Sequence, residues 1–364
     1  MNTLHVDLGP DWRGGQSQAL LLINGLRDRG HAAELIAPKS SPLAERARAD
    51  AIRVHGIGRS AIRLRTAYEI ARLLARESFD VVHCHEAHGL TAAWLAGAHR
   101  HTVLIASRRV AFPVSSSRLG AARYRSADRI AAVSQFVRER MIDSGLGEDS
   151  VEVVYDGVPT GQLPTAEERL AARISWEIGK EPLIGCVGYL VPEKGQELLI
   201  RALPLIRAQY PDCRLLLAGD GPCHGHLQRL STSLGVGHVV LFAGFVNDVT
   251  RVYQALDVFA FPSFAEPLGS SLLAAMSHGL PAVGLRSGAV PEIVEHGQNG
   301  LLARTAEPEA LAAALVCALR DRAPGSRLGA AARQTVEERF SAAQMVENTI
   351  ALYTGARAGR QSGA

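Results

Sequence analysis

Short apolar runs alternate with longer stretches of helical periodicity along the whole chain. The runs at 4–8, 81–84 and 103–106 predict buried strands. Between the strands, as at 66–76, apolar residues recur on one face of a helix. The alternation begins afresh at 182–187 and continues through the second half. It is typical of βαβ units, so the sequence predicts an α/β fold built on parallel sheets.

A Gly- and Pro-rich stretch at 156–165 separates the two alternations and predicts a linker. We therefore expect one domain over 1–160 and a second over 166–340. The remaining 341–364 should form an amphipathic helix to about residue 353, followed by a tail. Doubly wound sheets bind ligands at the carboxyl ends of their strands, so the loops there are the places to look for chemistry.

The composition, 47% hydrophobic and 21% charged, is that of a soluble globular protein. No run of 18 apolar residues exists, so no membrane-spanning helix is expected. The first residues resemble a buried strand rather than a signal peptide. Five scattered cysteines without a Cys-x-x-Cys pair favour a reduced, cytoplasmic protein.

Positive charge is concentrated in the first half. Nine arginines lie within 100–140, against Asp128 and Glu139. This excess favours an anionic partner such as a phosphorylated sugar, a lipid phosphate or a membrane surface. The alternative is that the arginines simply solvate helix faces. Nucleic acid is not expected, because no binding motif accompanies the charge.

An acidic loop in the second half carries the strongest local signal. Glu266 follows a strand-like run, and a helical run opens shortly after it with Gly269, Ser270 and Ser271. The free N–H groups of a first helical turn attract anions, and a glycine there allows close approach of the ligand. A carboxylate beside such a cradle suits a ligand with hydroxyls at one end and phosphates at the other, such as a nucleotide sugar.

Two other loops offer groups for phosphate. Lys194 lies on a Pro/Gly loop that begins at Gly188, after a predicted strand, and could provide a point charge. A solvated loop lysine is the alternative. In the first half, Gly14 and Gly15 open a helix after the first strand, which fits either phosphate approach or a tight turn.

These segments resemble the retaining glycosyltransferases of family 4, which have the GT-B fold. The stretches 288–294 and 299–302 also match the family's closing signature. The resemblance implies two Rossmann-like domains that face each other across a cleft, with the acceptor bound by the first and the nucleotide sugar by the second. It also implies that the last helix crosses back to the first domain.

The function that the resemblance implies is transfer of a sugar from a nucleotide-diphosphate sugar to a glycan or lipid-linked acceptor. Lipopolysaccharide or cell-surface polysaccharide synthesis, with peripheral contact at the cytoplasmic membrane face, would suit the basic first half. The donor site is then expected to contain Gly15, Gly188, Tyr189, Lys194, Phe245, Glu266, Gly269, Ser270 and Ser271.

The chain departs from the family pattern at two positions. Ala274 stands where the family has a second Glu for the ribose, and Tyr189 stands where it has an Arg. The departures leave two alternatives open: an active transferase with altered contacts, or a weak or inactive nucleotide-sugar-binding protein of the same fold. A nicotinamide-dependent oxidoreductase would require a Gly-x-Gly-x-x-Gly turn, and the first βα turn has only two glycines.

Acceptor contacts are expected at two strand ends of the first half. His85, Glu86 and His88 follow one strand, and Arg108 and Arg109 follow the next. Paired arginines suit an anionic acceptor or the leaving phosphate, but they cannot act as a base.

The histidines near 83–88 could also suggest a metal site. No partner carboxylate or cysteine is identifiable, and family members need no metal for the nucleotide sugar, so we expect neither a metal nor a cofactor. The groups expected to carry catalysis are Glu266, Lys194 and Arg108, which would hold the sugar and stabilise the departing diphosphate.

Overall fold

A computed structural model describes residues 1–58, 62–114, 118–323 and 325–362. The chain divides into two compact units. Unit 1 consists of Met1–Gly157 together with Ala342–Ala364, and unit 2 of Val158–Ser341. Each unit contains one parallel sheet flanked by helices, so the expected α/β class is confirmed.

Unit 1 is built on a seven-stranded sheet in the order β3-β2-β1-β4-β5-β6-β7. Its strands are β1 (Asn2–Val6), β2 (Ala32–Pro38), β3 (Val54–Ile57), β4 (Val81–Cys84), β5 (Val103–Arg108), β6 (Arg129–Ala132) and β7 (Val151–Val153). Its first helices are α1 (Gly14–Asp28), α2 (Pro42–Ala49), α3 (Ile62–Leu74), α4 (Ala87–Leu95), α5 (Ala98–His101), α6 (Arg118–Arg125) and α7 (Gln135–Asp143). Every residue of β4 and β5 is buried, as expected for central parallel strands with both faces covered.

Unit 2 repeats the design with a six-stranded sheet in the order β10-β9-β8-β11-β12-β13. Its strands are β8 (Leu183–Val187), β9 (Arg214–Ala218), β10 (Val240–Gly244), β11 (Val258–Phe261), β12 (Ala282–Leu285) and β13 (Leu301–Ala303). Its helices are α8 (Ala166–Ser175), α9 (Gln196–Arg207), α10 (His224–Ser233), α11 (Thr250–Ala255), α12 (Ser270–Ser277), α13 (Val290–Ile293), α14 (Pro308–Arg320) and α15 (Arg327–Arg339).

The last helix, α16 (Ala342–Ser362), belongs to unit 1. Leu352 and Tyr353 are buried in the same core as Leu22 of α1. The helix continues well beyond residue 353, where the sequence predicted a tail, because its last turns also have partners. Arg357 forms an ion pair with Asp80 and Arg360 one with Asp128, and these contacts hold the helix end against unit 1.

The strand order places one ligand-binding position in each unit. In an open parallel sheet the crevice opens at the switch point, where successive connections turn to opposite sides of the sheet. That point lies between β1 and β4 in unit 1 and between β8 and β11 in unit 2. Among the described residues, no helix is both long and apolar enough to span a membrane.

Candidate functional site

Two of the residues expected in the donor site meet at the switch point of unit 2. Lys194 ends a short 3-10 turn (Pro192–Lys194) after β8, and Glu266 lies in the loop after β11. Lys194 Nζ lies 2.6 Å from Glu266 Oε2. Both side chains are partly exposed, so the ion pair remains open to a ligand.

The backbone joins these two loops. Phe264 N donates to Glu193 O at 2.8 Å. Gly195, with φ +68°, lies so close to β11 that a Cβ there would come within 2.0 Å of Pro262 O. Only glycine combines this conformation with this approach. The distance from Lys194 to Glu266 is therefore set by main-chain packing and does not depend on the two side chains alone.

A third segment supports Glu266 from its other side. Ala289 N donates to Glu266 O at 2.9 Å, and Ser287 Oγ accepts from Ala265 N at 2.8 Å. A Cβ on Gly288 would lie 2.3 Å from Glu266 O. Ala265 itself has φ +49°, a conformation that costs energy for a residue with a side chain. The loop thus keeps a strained shape because its surroundings fix it.

The start of α12 is where the sequence predicted an anion cradle, and among the described residues its first turn is uncapped. Gly269, at φ +116°, precedes the helix, and within the described residues no side chain caps it. Ser270 is exposed and Ser271 half-buried. The first-turn N–H groups have no intrahelical partner by geometry, and the helix dipole favours an anion there. The structure places these groups three to five residues after Glu266.

The remaining donor-site candidates follow two different strands: Gly188 and Tyr189 come after β8, and Phe245 comes after the edge strand β10. Tyr189 and Phe245 are 59% and 76% exposed, so both aromatic side chains are open to solvent. Gly188 N donates to Ala218 O at 3.0 Å, which fixes the loop after β8. Ala274 is half-buried on α12 and offers a ligand no polar side-chain group.

In unit 1, Gly15 lies in the first turn of α1. Within the described residues, a Cβ on Gly15 would meet nothing within 4 Å, so internal packing does not require a glycine at this position. Gln16 orients the turn: its Oε1 accepts from Arg13 N at 3.2 Å, and its Nε2 donates to Asp7 Oδ1 at 3.1 Å.

The two arginines after β5 have different surroundings. Arg108 is buried, with Nη1 donating to Tyr124 Oη at 3.1 Å and Nη2 to the carbonyl oxygen of Phe112. Arg109 is partly exposed, and its Nε donates to both Asp156 oxygens, at 2.8 and 3.1 Å. The structure therefore gives Arg108 internal partners, whereas Arg109 reaches towards the switch point of unit 1 through Nη1, which lies 3.4 Å from His85 Nδ1 after β4.

Some of the candidate residues after β4 also make contacts within the protein. Glu86 caps α4, accepting from the backbone N–H groups of His88 and Gly89, and its Oε1 accepts from Leu8 N at 3.2 Å. Burial, and then the nearby Asp7, raise the pKa of Glu86. His88 is exposed, whereas His85 is only 4% exposed.

His85 belongs to a buried cluster with His5 and His83. His5 was not identified from the sequence, although it alternates with Thr3 and Asp7 along the chain. In the sheet it pairs in register with His83. Burial lowers the pKa of His5 to about 3, and it lowers the pKa of His83 and of His85 well below the usual value. All three rings are therefore neutral at pH 7.

The cluster is the one grouping among the described residues whose possible ligand atoms lie close enough for a metal ion, within 4.8 Å of one another. Its nitrogens, however, bond to protein groups. His83 Nδ1 lies 2.6 Å from Tyr353 Oη and His83 Nε2 2.7 Å from Ser107 Oγ. The rings of His83 and His85 stack at 4.3 Å. This arrangement suits a hydrogen-bonded core better than ligands converging on an ion.

Comparison with known proteins gives matches over both units. Two family models match in succession: Glycosyltransferase Family 4 over residues 12–162 and Glycosyl transferases group 1 over residues 181–321. An uncharacterized glycosyltransferase of Methanocaldococcus jannaschii is 30% identical over 77% of this chain and 76% of its own length.

Two further relatives carry named activities. A GDP-mannose-dependent alpha-(1-6)-phosphatidylinositol monomannoside mannosyltransferase of Mycolicibacterium smegmatis is 32% identical over 65% of this chain and 64% of its own length. The chain therefore matches slightly less than two thirds of that enzyme. A lipopolysaccharide core biosynthesis glycosyltransferase of Rhizobium meliloti is 28% identical over 94% of this chain and 95% of its own length.

The structure most useful for the fold is that of Anabaena HepE in complex with UDP and glucose. It superposes with a TM-score of 0.85 over 97% of this chain and 99% of that one, at 21% identity. This likeness, with the two parallel sheets, confirms the expected GT-B class with two Rossmann-like domains.

Proposed function

The chain belongs to glycosyltransferase family 4, and on this premise we propose that it transfers a sugar, with retention of anomeric configuration, from a nucleotide-diphosphate sugar to a glycan or lipid-linked acceptor. The observation that carries the proposal is the 2.6 Å pairing of Lys194 with Glu266. It pairs one positive with one negative side chain, and Glu266 precedes the open start of α12 by a few residues. Such a set can bind phosphates and sugar hydroxyls at the same time.

In this mechanism unit 2 stabilises the departing diphosphate. The N–H groups of Gly269 to Ser271 and the ammonium of Lys194 donate hydrogen bonds to the diphosphate. They stabilise the negative charge that develops on it as the glycosidic C–O bond breaks. Glu266 accepts hydrogen bonds from sugar hydroxyls and holds the anomeric carbon in position. A leaving diphosphate oxygen takes the proton of the attacking acceptor hydroxyl on the same face, so no side chain is needed as a base.

Diphosphate neutralisation by protein groups also makes a divalent metal unnecessary. Lys194 and the first turn of α12 supply the positive charge that Mg²⁺ would otherwise provide. We therefore expect transfer to continue at full rate in EDTA.

Unit 1 and the relatives support a lipid-linked acceptor. The names of the Rhizobium and Mycolicibacterium relatives specify a lipopolysaccharide core and a phosphatidylinositol mannoside, both of which carry lipid. In unit 1 of this chain, Leu64, Tyr68 and Phe112 are 75%, 65% and 77% exposed. Together with the arginine-rich stretch 100–140, they support peripheral contact with an anionic membrane. Flotation with phosphatidylglycerol vesicles, but not with phosphatidylcholine vesicles, would be the expected result.

The central experiment measures transfer and donor hydrolysis with radiolabelled nucleotide sugars. Glu266→Gln and Lys194→Ala should each lower kcat/KM by roughly ten- to a thousandfold, the range for groups that stabilise transition-state charge. Glu193→Gln and Lys180→Ala remove the same charges from exposed positions, one next to Lys194 in the sequence and one before β8, and serve as matched controls.

Two results would contradict the proposal. Unchanged turnover in both site variants would remove Lys194 and Glu266 from the mechanism. Tight binding of a nucleotide sugar by the wild type, with neither transfer nor hydrolysis, would favour the alternative: a weak or inactive binding protein that has lost the second Glu and the loop Arg at Ala274 and Tyr189.

A further inference from the structure

A chain of hydrogen bonds runs through the buried part of unit 1 and ends at Arg109. Arg109 Nη1 lies 3.4 Å from His85 Nδ1, and His85 Nε2 lies 2.9 Å from His5 Nδ1. His5 Nε2 lies 3.1 Å from Thr3 Oγ1, and Thr3 Oγ1 donates to Ala32 O at 3.1 Å. Thr3, His5 and His85 are all buried, so water does not compete for these bonds.

The two ends of this series of hydrogen bonds determine which histidine nitrogens carry protons. The single hydroxyl proton of Thr3 goes to the carbonyl of Ala32, so Thr3 Oγ1 must accept from His5 Nε2–H. Neutral His5 then has a bare Nδ1, which accepts from His85 Nε2–H. Neutral His85 is left with a bare Nδ1 facing Arg109, and a guanidinium can only donate. Every bond therefore points the same way, from Arg109 to Ala32.

A second group holds the same guanidinium. Asp156 accepts twice from Arg109 Nε, and both partners of this ion pair are largely buried. Within the described residues, Nη2 of Arg109 has no hydrogen-bond partner. The guanidinium is thus fixed through Nε and Nη1 while one nitrogen remains free to donate.

We propose that Thr3, His5 and His85 position Arg109 so that its Nη2 donates to a phosphoryl oxygen of the donor or of the acceptor. His85 is then a positioning residue that acts through Arg109 and does not contact the acceptor. This replaces the direct acceptor contact expected for His85 from the sequence, and it rests on the proposed transferase function. Its physical basis is preorganisation: a guanidinium already fixed by two partners loses little freedom when the oxyanion arrives.

Two conservative variants of His85 separate this role from a merely structural one. In His85→Asn the amide oxygen can replace Nδ1 and accept from Arg109, but the bond to His5 is lost. In His85→Gln the amide nitrogen can replace Nε2 and donate to His5, but the acceptor for Arg109 is lost. We expect His85→Gln to lower kcat/KM about tenfold to a hundredfold, the cost of a misplaced group, and His85→Asn to retain most activity.

Further variants identify the oxyanion. Arg109→Lys should resemble His85→Gln, and adding His85→Gln to Arg109→Ala should cause no further loss, because the two residues act as one unit. If Nη2 binds the donor, inhibition by inorganic pyrophosphate weakens in Arg109→Lys and the donor KM rises. If it binds the acceptor, only the acceptor KM rises.

The proton positions can be measured without any activity. Nitrogen NMR of ¹⁵N-histidine-labelled protein at pH 7 should show His5 and His85 as neutral Nε2–H tautomers, assigned by the signals lost in His5→Gln and His85→Asn. An Nδ1–H tautomer or a charged His85 would overturn the proposal, as would equal losses of kcat/KM in His85→Asn and His85→Gln. If Glu266→Gln and Lys194→Ala leave transfer intact while the tautomers are as stated, the proposed function fails and the hydrogen-bond chain stands.

Discussion

At the scale of single residues, Lys194 and Glu266 pair with each other when no ligand is bound and, in the proposed function, bind the two ends of the donor. Without a ligand each side chain satisfies the charge of the other. A diphosphate offers Lys194 a second anion, and the sugar hydroxyls offer Glu266 new donors. On the proposed function, Lys194 would exchange one anion for another, and Glu266 would exchange its ion pair for hydrogen bonds from neutral hydroxyls.

The most informative single substitution is Ala274→Glu. It places a carboxylate eight residues after Glu266, the position at which the resemblance to family 4 implies a second Glu for the ribose. A hydrogen bond to a charged group contributes about 1.5–3 kcal/mol, so the donor KM should fall at least tenfold. Ala274→Gln has a similar size without the charge and is the control. An unchanged KM in a folded Ala274→Glu variant would show that this chain binds its nucleotide by a different route.

Position in the sequence accounts for the contact between Lys194 and Glu266 in unit 2, but not for the histidine cluster of unit 1. Glu266, Lys194 and Gly269 follow strands whose ends meet at a switch point, so position along the chain was sufficient to bring them together. His5 could not be identified as part of a cluster, because its partners His83 and His85 become neighbours only through the pairing of β1 with β4. Strand order is not encoded in local periodicity.

At the scale of elements, glycines determine the shape of the loop that carries Glu266. Gly288→Ala should lower kcat/KM at least tenfold, because the added Cβ would lie 2.3 Å from Glu266 O and 2.5 Å from Glu266 N. These are backbone atoms, so no rotamer change relieves the clash and the loop must move. The loss of stability should be about 1–3 kcal/mol, as for overpacking generally.

Gly297→Ala is the matched control for that variant. Gly297 also has a positive φ of +81°, yet within the described residues a Cβ there would meet nothing within 4 Å. Gly297→Ala therefore has the energetic cost of a side chain at a positive φ, without a steric clash against the described residues. Chemical denaturation and initial rates on both variants separate the two effects, and equal activities would argue against a steric role of Gly288 at the site.

The helices and strands themselves were largely predictable, because each has a regular apolar face. The length of α16 was not. Its last turns are polar, and their partners Asp80 and Asp128 lie more than two hundred residues earlier in the chain. Local sequence therefore suggests a tail where long-range ion pairs hold a helix.

At the scale of the whole molecule, the buried histidines should make stability depend on pH. Their pKa values in the folded state lie below the unfolded value near 6.5. Between those values the unfolded chain binds more protons than the folded one. The contribution of the histidines to the free energy of unfolding is therefore fully present above pH 6.5. It falls as the pH drops, by up to about 1.4 kcal/mol per pH unit for each histidine.

Other charged groups around the cluster modify that slope. Burial raises the pKa of three carboxyl groups, which act in the opposite sense at more acid pH; these are Asp7, Glu86 and Asp156. Besides burial and the two neighbouring histidines, the positive charge of Arg109 lowers the pKa of His85. Unfolding measured from pH 5 to 8 should show the decline, with a smaller slope in His5→Gln. Constant stability over pH 5–7 would contradict the histidine assignment.

The discontinuity of unit 1 has a practical consequence for dissecting the protein. Both ends of unit 2 lie side by side, since Val158 N donates to Phe340 O at 2.9 Å. The cut ends of unit 1 are also close, with Gly157 N 3.4 Å from Met345 Sδ. Residues 158–341 can therefore be expressed as one uninterrupted polypeptide. A few flexible residues joining Gly157 to Ala342 would give the other unit a continuous chain, so each half can be produced and titrated with ligands separately.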